Sequence, residues 1–514
     1  MDAPAIVDTL DAKGFDVSLL DELLAAQGAD SLVKRSPLCS IACKTLNLAY
    51  GDRLILQSET AQYDGWTANF WSDMQAQVNP YCIFQPKSNL EVSVLVLISR
   101  LSQCPFAAKS GGHAAFAGAS SIEGGITVDL RMMMDVSVSE DKKVAYIQPG
   151  NQWYDVYTKL EPLGLAVIGG RVAEIGTGGL TLGGGISFFS NIYGWACDNV
   201  VSYELVTATG AIVTVTKDKY PDLYWALRGG GNNFGIVTKF GLATFDQGKM
   251  WGGVVMYAPT ERDATLHAYI NFGFNSPDDP KAALILVTGF SSGFYFTIAD
   301  LEYTDPISTA PGIFQEFVNI PHLSDTTGTK SLSEIALEFN SSNPHGLRES
   351  YWTATFKLDY ELAAYITELF LENTAPIENV AGIVPACVMQ VITEGVLTHM
   401  ADNGGNALGL DPAKGPYLLL NLAYMWTNAA DDAAVIARAD TIIKAAIAKS
   451  KGMGLDADYL YMNYASQYQD VIASYGAENK AKLVSISEKY DPAGVFQQLQ
   501  PGYFKLSGPP TTGP

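Results

Sequence analysis

The sequence predicts an α+β protein in two parts, a glycine-punctuated module followed by a module of strands and long helices, and three observations carry that prediction. First, 48% of the 514 residues are apolar and only 17% are charged, which suits a chain that buries a large interior and excludes a disordered or fibrous one. Second, the 48 glycines exceed the usual share of about 7% and gather in clusters that end at Gly235. Third, near residue 246 the clusters stop, and apolar strands begin to alternate with helices. At roughly 100–200 residues per domain, the length suits two or three domains, or one long unit with an insertion.

Taken in order, residues 1–36 read as two short amphipathic helices forming a peripheral arm, because Val17, Leu19, Leu20, Leu23 and Leu24 recur at helical spacing. A strand is expected at 82–86 (CIFQP). Ser88-Asn89-Leu90-Glu91 then resembles a helix N-terminus ahead of VSVLVLISRLSQ. Strands follow at PFAAKS, at 126–130 and at 144–150, then a helix near 153–161 and a strand at LAVIGG. The stretch 203–215 alternates around Thr209-Gly210 and reads as a hairpin, and 221–228 as a short helix opened by a proline. Beyond 246, strands such as MWGGVVMY and AALILVTGF precede a helix at 431–450. A last helix ends before Asp491-Pro492, and the tail at 507–514 is expected to be disordered.

Composition excludes several classes of partner. With 32 Lys+Arg against 54 Asp+Glu the formal charge is −22, which repels phosphate backbones, so no nucleic-acid partner is expected. The longest apolar runs, Val94–Ile98 and Tyr417–Trp426, have the length of buried strands and fall short of the ~18–20 residues of a membrane span. The N-terminus lacks a basic start followed by an apolar stretch, which favours a cytoplasmic protein, or a secreted one numbered after processing. The six cysteines (Cys39, Cys43, Cys82, Cys104, Cys197, Cys387) show no CxxC spacing, so no metal is expected. Six buried thiols are the favoured reading, with one disulfide from the Cys39/Cys43 segment to Cys104 as the alternative for an exported chain. Asn340-Ser341-Ser342 is a glycosylation sequon of the kind that arises by chance.

The chemistry lies in three glycine clusters: Lys109-Ser110-Gly111-Gly112-His113 followed by Gly118, the run from Gly169 to Gly185, and Arg228 to Gly235. Successive glycines allow positive φ and bring bare N–H groups up to a ligand, forming the nests that cradle a pyrophosphate. Ordinary turns need one or two glycines. Neither GxGxxG nor GxxxxGK[ST] is present, so a dinucleotide would be held in another way.

CPFAAKSGGHAAFAG (104–118), GGLTLGGGISFFSNIYGWACDNV (178–200), LRGGGNNFGIVT (227–238) and NYASQYQ…KYDPAGVF (463–496) together resemble, in order, the FAD-linked oxidases of the vanillyl-alcohol-oxidase (PCMH) type, in particular the berberine-bridge-enzyme-like branch of fungal type. The resemblance runs from Cys39 to Leu506. It implies a two-lobed FAD-binding domain at 37–245, a substrate domain with a large antiparallel sheet at 246–455, and a return to the FAD domain at 456–506. His113 would carry FAD covalently through the flavin 8α-methyl carbon; of the five histidines only His113 sits in a glycine nest. Lys109, Ser110, Gly111, Gly112, Gly118, Gly178, Gly179, Gly184, Gly185 and Asn463 would complete the cofactor site, with Asp198 and Asn199 holding the flavin or its loop and Gly235, Ile236 and Val237 lining the adenine end. Two departures from the family stand out. Many relatives make a second flavin attachment through a cysteine at the position of Val172, and oxidases often carry valine at the position of Ile175, where an added methylene would hinder dioxygen.

Dehydrogenation of a carbon bearing O–H or N–H needs a base within hydrogen-bond reach of that proton. The family uses Tyr, Glu or Asp there, which makes Tyr461 and Tyr464 the leading candidates, followed by Tyr459 and Tyr424. Period-two spacing puts Tyr459 and Tyr461 on one face of a strand. The expected activity is that of an FAD-dependent oxidase acting on a small, largely apolar metabolite, plausibly in secondary metabolism, with dioxygen as acceptor. The alternatives are a secreted carbohydrate or alcohol oxidase and a non-redox cyclase that retains FAD.

Overall fold

The computed structural model describes residues 2–27 and 35–513, so the part of the N-terminal arm at 28–34 lies outside the described residues. Three sheets organise the chain. The first lobe contains helices α1 (Ala3–Ala12), α2 (Asp21–Gln27) and α3 (Arg35–Tyr50), then β1 (Leu54–Leu56), β2 (Cys82–Phe84), α4 (Asn89–Ser102), β3 (Phe106–Lys109) and β4 (Ile126–Asp129), with strand order β1-β2-β4-β3. Ser88 caps α4 by accepting the Glu91 N–H, as the local sequence predicts. Val94–Ile98 lies inside this helix and not in a strand: its residues are buried all round, which erases the periodicity that separates the two. The N-terminal helices are not peripheral. Ile6, Leu10, Phe15, Leu20 and Leu23 are buried in the same core as α4 and the sheet.

Two disulfides staple this lobe: Cys39–Cys104, the pairing held as the alternative, and Cys43–Cys82, and together they correct the favoured expectation of six free thiols. Cys39 and Cys43 are one turn apart on α3 and so face the same way, toward β2 and the start of β3. Cys197 and Cys387 are free and buried.

The second lobe holds β5 (Val136–Val138), β6 (Val144–Ile147), α5 (Trp153–Leu160), β7 (Leu165–Val167), α6 (Thr177–Leu182), β8 (Val200–Val206), β9 (Ile212–Val215), α7 (Pro221–Leu227) and β10 (Ile236–Asp246). Its order is β5-β6-β10-β8-β9, with β7 also on β10, and β8–β9 is the expected hairpin. The chain then passes to a third sheet through β11 (Met250–Tyr257), α8 (Arg262–Asn275), β12 (Ala282–Ser291), β13 (Phe294–Tyr303), α9 (Leu332–Asn340), β14 (Arg348–Lys357), α10 (Tyr360–Thr374), β15 (Val384–Ile392), β16 (Tyr417–Trp426) and α11 (Asp432–Met453). These strands pair antiparallel in the order β11-β13-β12-β15-β16-β14, with short strands added at both edges.

Period two decides what each strand shows to each side. On β16, Leu418, Leu420, Leu422, Tyr424 and Trp426 pack into the core shared with α8, α10 and α11. Asn421, Ala423 and Met425 face the first two lobes. Residues 458–461 are extended without pairing and lead into a short 3-10 turn at Met462–Tyr464, so the strand expected around Tyr459 and Tyr461 is absent. α12 (Ala477–Tyr490) ends before Asp491, as expected. The tail is laid back on the protein, with the Thr511 N–H donating to the Gln467 carbonyl. Among the described residues no helix is long and apolar enough to cross a membrane, and no cluster of His, Cys, Asp or Glu is arranged to hold a metal.

Candidate functional site

Two of the glycine clusters meet backbone to backbone. A Cβ on Gly111 would stand 2.4 Å from the Gly176 nitrogen, and one on Gly176 would stand 2.1 Å from the Gly111 nitrogen. No side chain fits at either position, and that is why both are glycine. Ser110 ties the loops together by donating to the Pro149 carbonyl and accepting the Gly178 N–H at 3.1 Å. Gly112 (φ +74°) and Gly118 (φ +81°) turn the first loop, and Gly184 and Gly185 (φ +112° and +88°) turn the second. Lys109 braces the first loop from beneath, its ammonium 3.6 Å from Asp129 and over the Trp66 and Phe70 rings.

Between these loops and the third sheet lies a cavity of about 440 Å³, within the range that takes a drug-sized ligand. Gly111, Gly112, His113, Val172, Ile175 and Gly179 are on its wall. The His113 ring stacks on Trp71 (4.0 Å between centroids, 12° between planes). Its Nε2 is buried with no hydrogen-bond partner, and burial pushes the imidazole down to about 3, which keeps it neutral. A neutral imidazole retains a lone pair for bonding, so the residues fit a flavin: bare backbone for its phosphates and, following it in the first loop, a nucleophilic ring nitrogen. Val172 occupies the expected second-anchor position on the wall, and neither Cys197 nor Cys387 reaches it.

The polar centre of the cavity is a triad from three distant segments. Arg171 Nη2 donates to Gln390 Oε1 (2.7 Å) and to the Tyr464 hydroxyl (2.8 Å), and Gln390 Nε2 also donates to that hydroxyl (3.2 Å). Tyr461 lies beside it with ring centroids 4.8 Å apart, but its hydroxyl accepts the Ile186 N–H and an Asn463 N–H, and burial pushes its phenol up. Asn463 also donates to the Leu180 carbonyl and fills the space a Gly183 Cβ would need, so it pins the second glycine loop.

Lys109, Gly118, Gly178, Gly184 and Gly185 brace or turn the loops without lining the cavity, and four further groups of sequence-selected residues lie away from it. Tyr424 points into the helix-backed core, where burial raises its phenol, because it has the opposite parity to Asn421 on β16. Tyr459 packs between Trp195 and Tyr475 behind the wall. Asp198 forms a buried pair with Arg228 (2.9 Å) and also accepts from Asn406 Nδ2, while Asn199 caps the Tyr193 and Trp195 carbonyls; both hold the loop from inside. Gly235 (φ +149°) packs against Leu205 and Val206, and Ile236 and Val237 enter the lobe cores, so none of the three is on the cavity wall. Arg171, Gln390, Asp300 and Glu349 line the cavity and were missed by sequence reasoning. The polar residue interrupting the apolar run of β15 was the available signal for Gln390. The Asn340 side chain of the sequon is engaged within the protein, its Oδ1 accepting the Glu174 N–H.

A family model described as an FAD binding domain matches residues 80–216. Over 452 residues the chain is 38% identical to the FAD-dependent monooxygenase FUP4 of Fusarium proliferatum, spanning 85% of this chain and 87% of that one. Its fold is similar to 6-hydroxy-D-nicotine oxidase of Arthrobacter nicotinovorans, with a TM-score of 0.72 and 20% identity over 88% of this chain and 97% of the other. It is likewise similar to berberine bridge enzyme of Eschscholzia californica, with a TM-score of 0.70 and 17% identity over 89% and 97%.

Proposed function

The chain belongs to the FAD-linked oxidoreductases of the berberine-bridge-enzyme-like type, and we propose that within that family it dehydrogenates or oxidatively cyclises a small, largely apolar metabolite of secondary metabolism. In this reading FAD is held covalently through His113, and dioxygen is the final acceptor. FAD, when bound, supplies a two-electron acceptor. The two glycine loops would hold its phosphates, and His113 would be its point of attachment.

The observation that carries the reading is the pair of donors on the Tyr464 hydroxyl. Both come from the protein, one is a guanidinium, and the oxygen stands on the cavity wall. That arrangement stabilises negative charge on the oxygen while a proton is in transit, which is what a base for a substrate O–H or N–H requires. Tyr461 has only neutral donors on its oxygen and a phenol that burial raises, so it stays protonated and positions the second loop. The sheet supplies an apolar floor for the substrate through Val254, Ile285, Ile298, Val388, Ala423 and Met425.

Turnover under isotopically labelled dioxygen tests the acceptor role. The expected result is hydrogen peroxide equimolar with an unlabelled product. One labelled oxygen atom in the product would instead assign to this chain the monooxygenase chemistry for which FUP4 is named, and the oxidase reading would fall.

A further inference from the structure

Glu349 is the one acid on the cavity wall that the reading above leaves without a task and that is almost wholly buried, at 1% exposure. Neither of its carboxyl oxygens has a hydrogen-bond partner. Leaving a carboxyl desolvated and unpaired is costly unless something arrives to use it. Its place in the fold says what that is. Glu349 and Tyr351 are two residues apart on β14 and so share a face, about 7 Å apart. Tyr351 touches Trp71 edge-on (5.5 Å), and Trp71 stacks on His113. A small recess is walled jointly by Glu349, Ala115 and Phe116, the latter two lying two and three residues past His113 in the first glycine loop. The backbone is clamped here as well: the Gly346 N–H donates to the Trp71 carbonyl, the Asp73 N–H to the Leu347 carbonyl, and Ser72 Oγ to the Ala115 carbonyl. The unpaired carboxyl thus neighbours Tyr351, whose ring meets Trp71 on the His113 side and the Tyr464 ring (6.2 Å between centroids) on the other.

We propose that Glu349 is the proton acceptor for covalent attachment of the flavin to His113, an inference that rests on the histidyl attachment proposed above. Joining an imidazole nitrogen to a methyl carbon requires a C–H bond to break, and its proton must go to a base beside that carbon. Glu349 takes that proton. The lone pair of neutral His113 forms the N–C bond, and the imidazole gives up its N–H proton. The two electrons released pass through the cofactor to dioxygen, which leaves with the two protons as hydrogen peroxide. One methyl C–H and one N–H are lost, one C–N bond is made and one dioxygen is reduced, so the step balances. Burial raises the proton affinity of the Glu349 carboxyl, so its ionised form is a stronger base than an exposed carboxylate. The reaction happens once per molecule, so a small ionised fraction is enough.

The test compares wild type, Glu349→Gln and Glu349→Asp, each produced aerobically with FAD. The readout is the fraction of flavin that stays with acid-precipitated polypeptide and fluoresces on a denaturing gel. Wild type is expected to retain essentially all of its flavin. Glu349→Gln, which preserves shape but not basicity, is expected to bind FAD yet retain less than a tenth as much, and Glu349→Asp to retain more than Glu349→Gln. Equal retention by Glu349→Gln and wild type overturns the proposal, as does a Glu349→Asp protein no better than Glu349→Gln. A Glu349→Gln protein with no FAD at all also overturns it, since Glu349 would then be a binding residue. Wild type that releases its flavin on precipitation overturns the histidyl attachment itself, an outcome distinct from the other three.

Discussion

Replacing Tyr464 with phenylalanine removes one oxygen from the cavity and nothing else, and its cost can be worked from the contacts. Arg171 Nη2 keeps Gln390 at 2.7 Å, so the guanidinium is not stranded, and the lost hydrogen bonds should change stability by only about 0.5–1.5 kcal/mol. The chemical step should suffer far more. A positioned general base contributes about 10²–10⁴-fold, equivalent to roughly 2.7–5.4 kcal/mol of barrier at 1.36 kcal/mol per tenfold. Tyr461→Phe is the matched control, because it strands the Ile186 N–H and an Asn463 N–H. That variant should lose about 1–3 kcal/mol of stability and less than tenfold in rate. The assay is anaerobic stopped-flow reduction of the bound flavin by saturating substrate, beside thermal unfolding of the same samples. A Tyr464→Phe enzyme within threefold of wild type, or a Tyr461→Phe enzyme with the larger loss of rate, refutes Tyr464 as the base.

Other expectations follow from the same contacts. His113→Ala should release all its flavin on acid precipitation, and retained colour in that variant would place the attachment elsewhere. Gly111→Ala puts a methyl 2.4 Å from the Gly176 nitrogen, where only backbone could yield. It should cost about 1–3 kcal/mol or more and empty the site of flavin, read from visible absorbance and thermal unfolding. Ile175→Val removes a methylene from the cavity wall and should speed reoxidation of the reduced enzyme by air; an unchanged rate removes that side chain as an oxygen gate. Breaking Cys39–Cys104 by Cys104→Ser opens a link spanning 65 residues, which loop-closure entropy values at about 4 kcal/mol, measurable as a fall in the denaturant midpoint.

The legible parts of this site were those whose chemistry is local. Gly111, Gly112 and His113 announce themselves because bare backbone beside one imidazole has a meaning within five residues. The hidden parts are joined only by the fold. Arg171 and Tyr464 are 293 residues apart, and no spacing rule connects them. Tyr424 was a misreading of parity: in YLLLNLAYMW the asparagine, two strand positions from Ala423, marks the cavity face, and the tyrosine necessarily turns the other way. Cys39–Cys104 matches the alternative pairing of the Cys39/Cys43 segment with Cys104, but Cys43–Cys82 escaped, because one helical turn between Cys39 and Cys43 shows that they face alike, not what they face. Glu349 escaped because its neighbours in sequence give no sign that its carboxyl ends up unpaired.

The central claim is that this chain performs a redox reaction on its substrate, and anaerobic mixing of the holoenzyme with that substrate tests it most directly. A panel of small metabolites can be screened for one that bleaches the bound flavin, with product counted against flavin reduced. One two-electron-oxidised product per flavin bleached is expected, with colour restored on admitting air. Product accumulating while the flavin stays yellow would contradict it and leave FAD as a structural element of a non-redox cyclase.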